Sequence, residues 1–394
     1  MQVAVGRFTL WGSFWSRSGT APVENAPPRS LLFSERFHMT NHPQPAYAFH
    51  GSRLFTSWLK EAKVSLAMTT YQAGKVFLLG LQPDGRLSVF ERTFERPMGL
   101  GVGQGRFWMS SIHQLWRFED FLGEAETRDG YDALYVPVTG HTTGDIDIHD
   151  IHEDAEGKPV FVATRFNCLA TIAERGSFRE LWRPPFIDRL AAEDRCHMNG
   201  LAMRDGRPAY VTCLSRTNVF EGWREKRRDG GVLLEVSTGE VVAEGLSMPH
   251  SPRLHQGKLW MLQAGTGEFG HMDLETGTFE PVCFLPGFAR GLAFIGDYAV
   301  IGLSRPRENR TFEGLALNER LEAEGVSAQC AICVVNLRTG DSEHRLEIGG
   351  IIEEIYDVTL LPDVIRPMAL GFRTEEIRFA VKPEPLLETT LTLN

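Results

Sequence analysis

The densest run of chemically able side chains is His141-Thr142-Thr143-Gly144-Asp145-Ile146-Asp147-Ile148-His149-Asp150-Ile151-His152. Alternate residues of an extended strand face one way, so Asp145, Asp147 and His149 are expected on one face. Arg195-Cys196-His197-Met198-Asn199-Gly200 follows the same logic with His197 and Asn199, and Met248-Pro249-His250-Ser251 adds a third imidazole. Brought together, these groups have the donor chemistry of a divalent-metal site. Imidazole suits Zn, Mn, Fe or Cu, while carboxylates and an amide carbonyl favour Mg, Ca or Mn. The expected metal ligands are therefore His149, His197, Asn199, His250 and Asp147. Arg290 could clamp a carboxylate or stabilise an oxyanion, with a salt bridge to Asp357 or Glu353 as the alternative. Asp150 and Asp357 are candidate general bases, and Tyr356 completes the candidate catalytic set. No Gly-x-Ser-x-Gly elbow is present, which lowers the case for a serine nucleophile of the α/β-hydrolase type.

These residues share a register. A short phrase recurs as Pro97-Met98-Gly99-Leu100, Ile148-His149-Asp150-Ile151, Met198-Asn199-Gly200-Leu201, Pro249-His250-Ser251-Pro252, Ala289-Arg290-Gly291-Leu292 and Ile355-Tyr356-Asp357-Val358. Alignment puts Met98, His149, Asn199, His250, Arg290 and Tyr356 at one equivalent position. Most copies lead into an apolar run, a polar turn and a second apolar run. A strand-built repeat of roughly 40–50 residues indicates a β-propeller. The expected fold is all-β, a six-bladed β-propeller closed by pairing of N- and C-terminal strands in one blade. Such closure removes exposed sheet edges, and the inner strands would carry the register position to a central channel. Insertions at 215–229 and 304–330, the second with a helix-like piece at Leu317–Glu324, fall between the second and third strands of their blades, which places both on one face.

Composition narrows the partners. The chain has 394 residues, 42% hydrophobic, with a formal charge of −10, which argues against nucleic acid. No run approaches the ~20 apolar residues of a membrane helix, and the N-terminus lacks the marks of a signal peptide, so a cytoplasmic location is expected. Residues 1–50 are expected to be a disordered extension, with Met39 as an alternative start; 51–380 form one propeller domain and 381–394 a tail. Six scattered cysteines do not make a disulfide framework. Cys330-Ala-Ile-Cys333 runs straight into an apolar strand, unlike a redox motif that opens a helix. Gly265-Thr-Gly-Glu-Phe-Gly270 matches G-x-G-x-x-G but is followed by a strand, so it is not a dinucleotide fingerprint.

Over residues ~55–378 the chain resembles a bacterial family of conserved proteins of unknown function. The likeness is carried by His141-Thr-Thr-Gly-Asp145, Leu181-Trp-Arg-Pro-Pro-Phe186, His197-Met-Asn-Gly-Leu-Ala-Met-Arg-Asp-Gly206, Met248-Pro-His-Ser-Pro252 and Pro306-Arg-Glu-Asn-Arg310. More remotely, Asn199-Gly200-Leu201-Ala202 is similar to a step in six-bladed gluconolactonase and senescence-marker-type propellers. There the Asn helps hold a divalent cation in the channel, and only Asn199 carries over by motif. The resemblance implies a metal site that is richer in histidine here. Together these readings predict a metal-dependent enzyme acting on a small molecule in the channel by hydrolase, lyase or oxidoreductase chemistry. The alternative is a non-catalytic propeller that binds a protein or glycan through its two insertions.

Overall fold

Residues 47–305 and 314–383 are described by the computed structural model. Its β-branched and aromatic runs, cut by polar turns, form strands gathered into six sheets. The inner strands are Leu100–Gly103, Ile148–Glu153, Met198–Arg204, Pro249–His255, Phe288–Ile295 and Asp357–Pro362. Each contacts the next in chain order, and the last contacts the first. The sheets therefore stand as blades around one axis, a six-bladed β-propeller. In the sixth blade Asp357–Pro362 pairs with Val64–Thr70, with Thr69 opposite Asp357, so an early and a late strand share a sheet.

Other edges differ from expectation. Tyr47–Gly51, all but its last residue inside the stretch expected to be disordered, is a strand that pairs with Ser342–Gly350 as a fifth strand of the fifth blade. Its rings explain the order, because Tyr47 and Phe49 each meet Phe77 edge-on at 5.2 and 5.3 Å. The rest of that expected extension, Met39 included, lies outside the described residues, as do most of the expected tail and residues 306–313 of the second insertion. Pro367–Ala369 does not extend the sixth blade; it pairs in parallel with Ala133–Thr142 on the edge of the first. A helix that periodicity did not single out, Phe55–Ala62, buries Phe55, Trp58 and Leu59, an i, i+3, i+4 stripe, beside Leu346 and Ile348. Cys330 and Cys333 are buried thiols that burial pushes up to about 12 and about 11, which keeps them inert. No described helix is long and apolar enough to cross a membrane.

Antiparallel meanders return every second-to-third connection to the end where the inner strand begins. That end carries both insertions. Residues 214–230 hold a 3-10 turn, Gly222–Lys226, and the second insertion holds the helix Ala316–Glu324. They meet through a 2.9 Å ion pair between Arg228 and Glu319, and share an apolar cluster with Trp223, Met248, Phe288, Leu317 and Leu321.

Around the axis, the residue after the register position alternates. Gly99, Gly200 and Gly291 alternate with Asp150, Ser251 and Asp357. A Cβ on Gly99 would sit 2.9 Å from His149 O, on Gly200 3.0 Å from Ser251 N, and on Gly291 2.5 Å from Val358 N. Glycine lets these blades approach the next backbone. The alternate side chains clip the glycine blades back: Leu100 N–H donates to Asp357 (2.8 Å), Leu201 N–H to Asp150 (2.9 Å), and Gly291 N–H to the Ser251 hydroxyl (3.2 Å).

Candidate functional site

Where the inner strands begin, a cavity of ≈ 460 Å³ opens at the channel mouth. Met98, His149, Arg290 and Tyr356 of the register position line it. Asn199 and His250 lie deeper, in a narrow chamber of ≈ 10 Å³ with Asp150 and Asp357. Phe220, Glu221, Trp223 and Arg224 of the first insertion form part of the cavity wall.

Strand alternation does not place Asp147 and His197, because their strands start one residue later, at Ile148 and Met198. Both residues stand two positions before the register position, as do Arg96 and Met248. All four have left-handed backbone, with φ of +58 for Asp147, +50 for His197, +51 for Arg96 and +46 for Met248. The kink turns three of their carbonyls toward the end of the second strand, so that Asp147 O accepts from Thr164 N, His197 O from Leu214 N and Met248 O from Ala264 N. All four side chains line the cavity. This upper layer was legible only as far as Asp147 and His197; Arg96 and Met248 were missed, although a fixed offset from the register position points to them. Asp145 pairs with the same Arg96 guanidinium that Asp147 approaches and, at 3.1 Å, with Arg165, but it does not line the cavity.

Each channel histidine has Nδ1 engaged. The Thr164 hydroxyl donates to Met198 O (2.6 Å), so its 2.7 Å contact with His149 Nδ1 is one in which it accepts. His250 Nδ1 donates to Met248 O at 2.8 Å, and His197 Nδ1 to the Asp194 carboxylate at 2.9 Å. In the neutral rings of His149 and His250 Nε2 is thereby left as an acceptor, and buried His250 Nε2 has no partner among the described residues. Burial lowers His149 to about 4 against the opposing pull of Asp147, and burial with nearby Arg290 holds His250 well below the ordinary range. Both are neutral at pH 7. His197 differs in having a carboxylate partner, and Asp194 is itself held by Trp223 Nε1 at 2.9 Å. The Trp223 ring lies 4.2 Å from that of His197. Asp194 was not singled out by sequence, and Trp223 stood out only as the tryptophan of the first insertion.

Arg290 forms neither expected salt bridge. Its guanidinium lies over the rings of Phe288 (5.1 Å) and Tyr356 (5.0 Å), its buried Nε has no hydrogen-bond partner, and no carboxylate pairs with it among the described residues. Tyr356 is kept protonated by burial and by Asp147, and its buried hydroxyl also lacks a partner among the described residues. Asp147 lies 3.8 Å from Arg96 and 3.7 Å from His149 Nδ1. Burial opposes its ionisation, but His149, His197, Arg96 and Arg165 bring it below the usual carboxylate range.

The two expected bases stand in different environments. Asp150 takes a bidentate pair from Arg253 (2.8 and 3.0 Å) and backbone N–H groups of Ile151 and Leu201. Arg253 overcomes the effect of burial and holds Asp150 far below the normal range, leaving a tied structural carboxylate rather than a base. Asp357 accepts from Leu100 and Val358 N–H, while burial and the Asp150 charge push it up to about 7. Asn199 Oδ1 accepts from the Thr212 hydroxyl at 2.8 Å, which leaves Nδ2 without a partner in the chamber. The proposed ligands thus cluster, but no three His, Cys, Asp or Glu among the described residues stand close enough together to hold one ion.

Solved structures similar to this chain are distant. The crystal structure of a nidogen/laminin complex contains a chain 11% identical, with a TM-score of 0.49, covering 76% of this chain and 99% of that one. A protein of unknown function from Bacteroides caccae is 12% identical (TM-score 0.44; 76% and 98% covered). A catalytically inactive variant of virginiamycin B lyase from Staphylococcus aureus, solved with quinupristin, is also 12% identical (TM-score 0.37; 77% and 100% covered). At these scores the likeness says nothing about what this chain binds. No curated protein matches it. Residues 53–370 match a family described as Domain of unknown function (DUF4915), and the chain belongs to that family.

Proposed function

We propose that the channel mouth is a small-molecule site that performs proton-transfer chemistry, such as elimination or hydrolysis. Arg290 anchors an acidic group of the bound molecule, and His197 Nε2 takes a proton from it. The observation that carries this reading is the guanidinium of Arg290, without a carboxylate partner among the described residues and set among neutral rings in a polar cavity. Oriented donors in a partly dry site act more strongly on an anion than they do in water. His197 is the favoured base because Asp194 fixes its tautomer and stabilises the imidazolium as it forms. His149 and His250 stay neutral and accept hydrogen bonds. The first insertion belongs to the same site, since it supplies part of its wall.

A thermal-shift screen of carboxylate-bearing small molecules against wild type and Arg290→Met tests the anchor. Ligands that stabilise wild type and not the variant support the reading; equal stabilisation of both proteins refutes it. With a substrate in hand, His197→Gln is expected to keep binding and lower kcat by about 100-fold or more.

The same tautomers favour a second, metal-assisted reading. Imidazoles with Nδ1 engaged and Nε2 bare are in the form that binds metals. His149, His197 and His250, with Asp147 and Asn199, would then hold a divalent ion after small ring movements, and the ion would polarise the substrate. Elemental analysis of wild type beside His250→Ala separates the two. One equivalent of metal in wild type, lost in the variant, favours the metal; background levels after incubation with Mn, Fe, Zn, Cu and Ca favour the metal-free base.

A further inference from the structure

We infer that the cavity is built for a zwitterion, with the cationic end of the ligand on Asp147 and the anionic end on Arg290. This rests on the small-molecule reading above and narrows its substrate class.

Eight charged side chains line the cavity, four basic and four acidic. Six are hydrogen-bonded to a side chain within the protein: three arginines to Asp145 or Glu221, Glu221 in turn, Glu193 to Arg195, and Asp194 to His197. Arg290 and Asp147 remain. Asp147 accepts no side-chain hydrogen bond among the described residues; it lies 3.8 Å from the Arg96 guanidinium and 3.7 Å from the neutral ring of His149. The two charges are not paired with each other.

Two rings link them through a chain of contacts. His149 and Tyr356 meet edge-on at 5.4 Å. Asp147 lies 3.7 Å from His149 Nδ1 on one side, and Arg290 lies 5.0 Å from the Tyr356 ring centre on the other. Each ring feels both charges in opposite senses. A carboxylate and a guanidinium held apart across an uncharged aromatic floor complement a molecule with a cation and an anion on a short spacer.

The test uses the full chain and a matched series: ω-amino acids of increasing length, alkanoates and alkylamines of the same lengths, titrated by calorimetry at millimolar concentration. One ω-amino acid length is expected to bind at least about tenfold tighter than its alkanoate. Asp147→Asn should reduce that affinity to the alkanoate's, and Arg290→Met should reduce it to the alkylamine's. Circular dichroism of both variants confirms that each is folded. Alkanoates binding as tightly as the ω-amino acids would overturn the zwitterion assignment and leave the anion site standing. Affinities insensitive to Asp147→Asn would do the same. Failure of every member of the series to bind wild type would overturn both readings.

Discussion

At the scale of single residues, the site trades backbone comfort for side-chain position. Asp147→Gly relieves left-handed strain worth about 1 kcal/mol, so the variant should be as stable as wild type or up to that much more stable. It should also lose binding of any ligand that needs the carboxylate, which denaturant melts and calorimetry on one preparation would show. A less stable Asp147→Gly protein would mean that the Asp147 carboxylate serves the fold. His149 supplies a pH dependence. Its folded pKa of about 4 lies below the ordinary 6.5, so the unfolded chain binds the extra proton first. The contribution of neutral His149 is complete above 6.5 and is lost as pH falls toward about 4, by roughly 3 kcal/mol if the whole shift is realised. His149→Gln should flatten that limb of the stability curve, as read by denaturant midpoints above and below the window. The register position was legible because six variations of one phrase align without knowledge of geometry. Arg96 and Met248 were not, because strand alternation fails at a left-handed residue just outside the strand.

At the scale of elements, the first insertion acts on chemistry through one ring. Trp223 is buried, packs on His197 and donates to Asp194. Trp223→Phe keeps most of the packing and removes the donor. It should cost about 1 kcal/mol of stability and lower turnover by roughly tenfold or more, as loss of an orienting partner does, with the acid limb of the pH–rate profile displaced. A merely structural tryptophan would leave that profile unmoved. The insertion's place between second and third strands was legible from strand counting. Its contact with His197 was not, because nothing in residues 215–229 marks which loop residue turns inward. The helix Phe55–Ala62 escaped notice for a related reason, since eight residues give too few turns for its apolar stripe to stand out from neighbouring strands.

At the scale of the whole molecule, polar contacts near the axis join blades that are distant in sequence. Arg253 of the fourth inner strand pairs with Asp150 of the second and also donates to Leu201 O of the third. Arg253→Met leaves a buried carboxylate without its cation and should cost about 3–5 kcal/mol. Adding Asp150→Asn should recover much of that loss, because the penalty lies in the uncompensated charge. A double variant as unstable as the single one would assign the loss to packing instead. The six-fold repeat itself was legible from residue types alone, whereas the strand Tyr47–Gly51 lay in a segment whose composition reads as disordered.

The ring of glycines and clipping side chains changes what counts as one module. Neighbouring blades are not interchangeable, because one needs a glycine where the next needs a hydrogen-bonding side chain. A shuffled or symmetrised version assembled from copies of a single blade would place either two glycines or two clips side by side at every junction. The smallest unit that could be copied in tandem to rebuild this ring is a pair of blades, and three such pairs complete it.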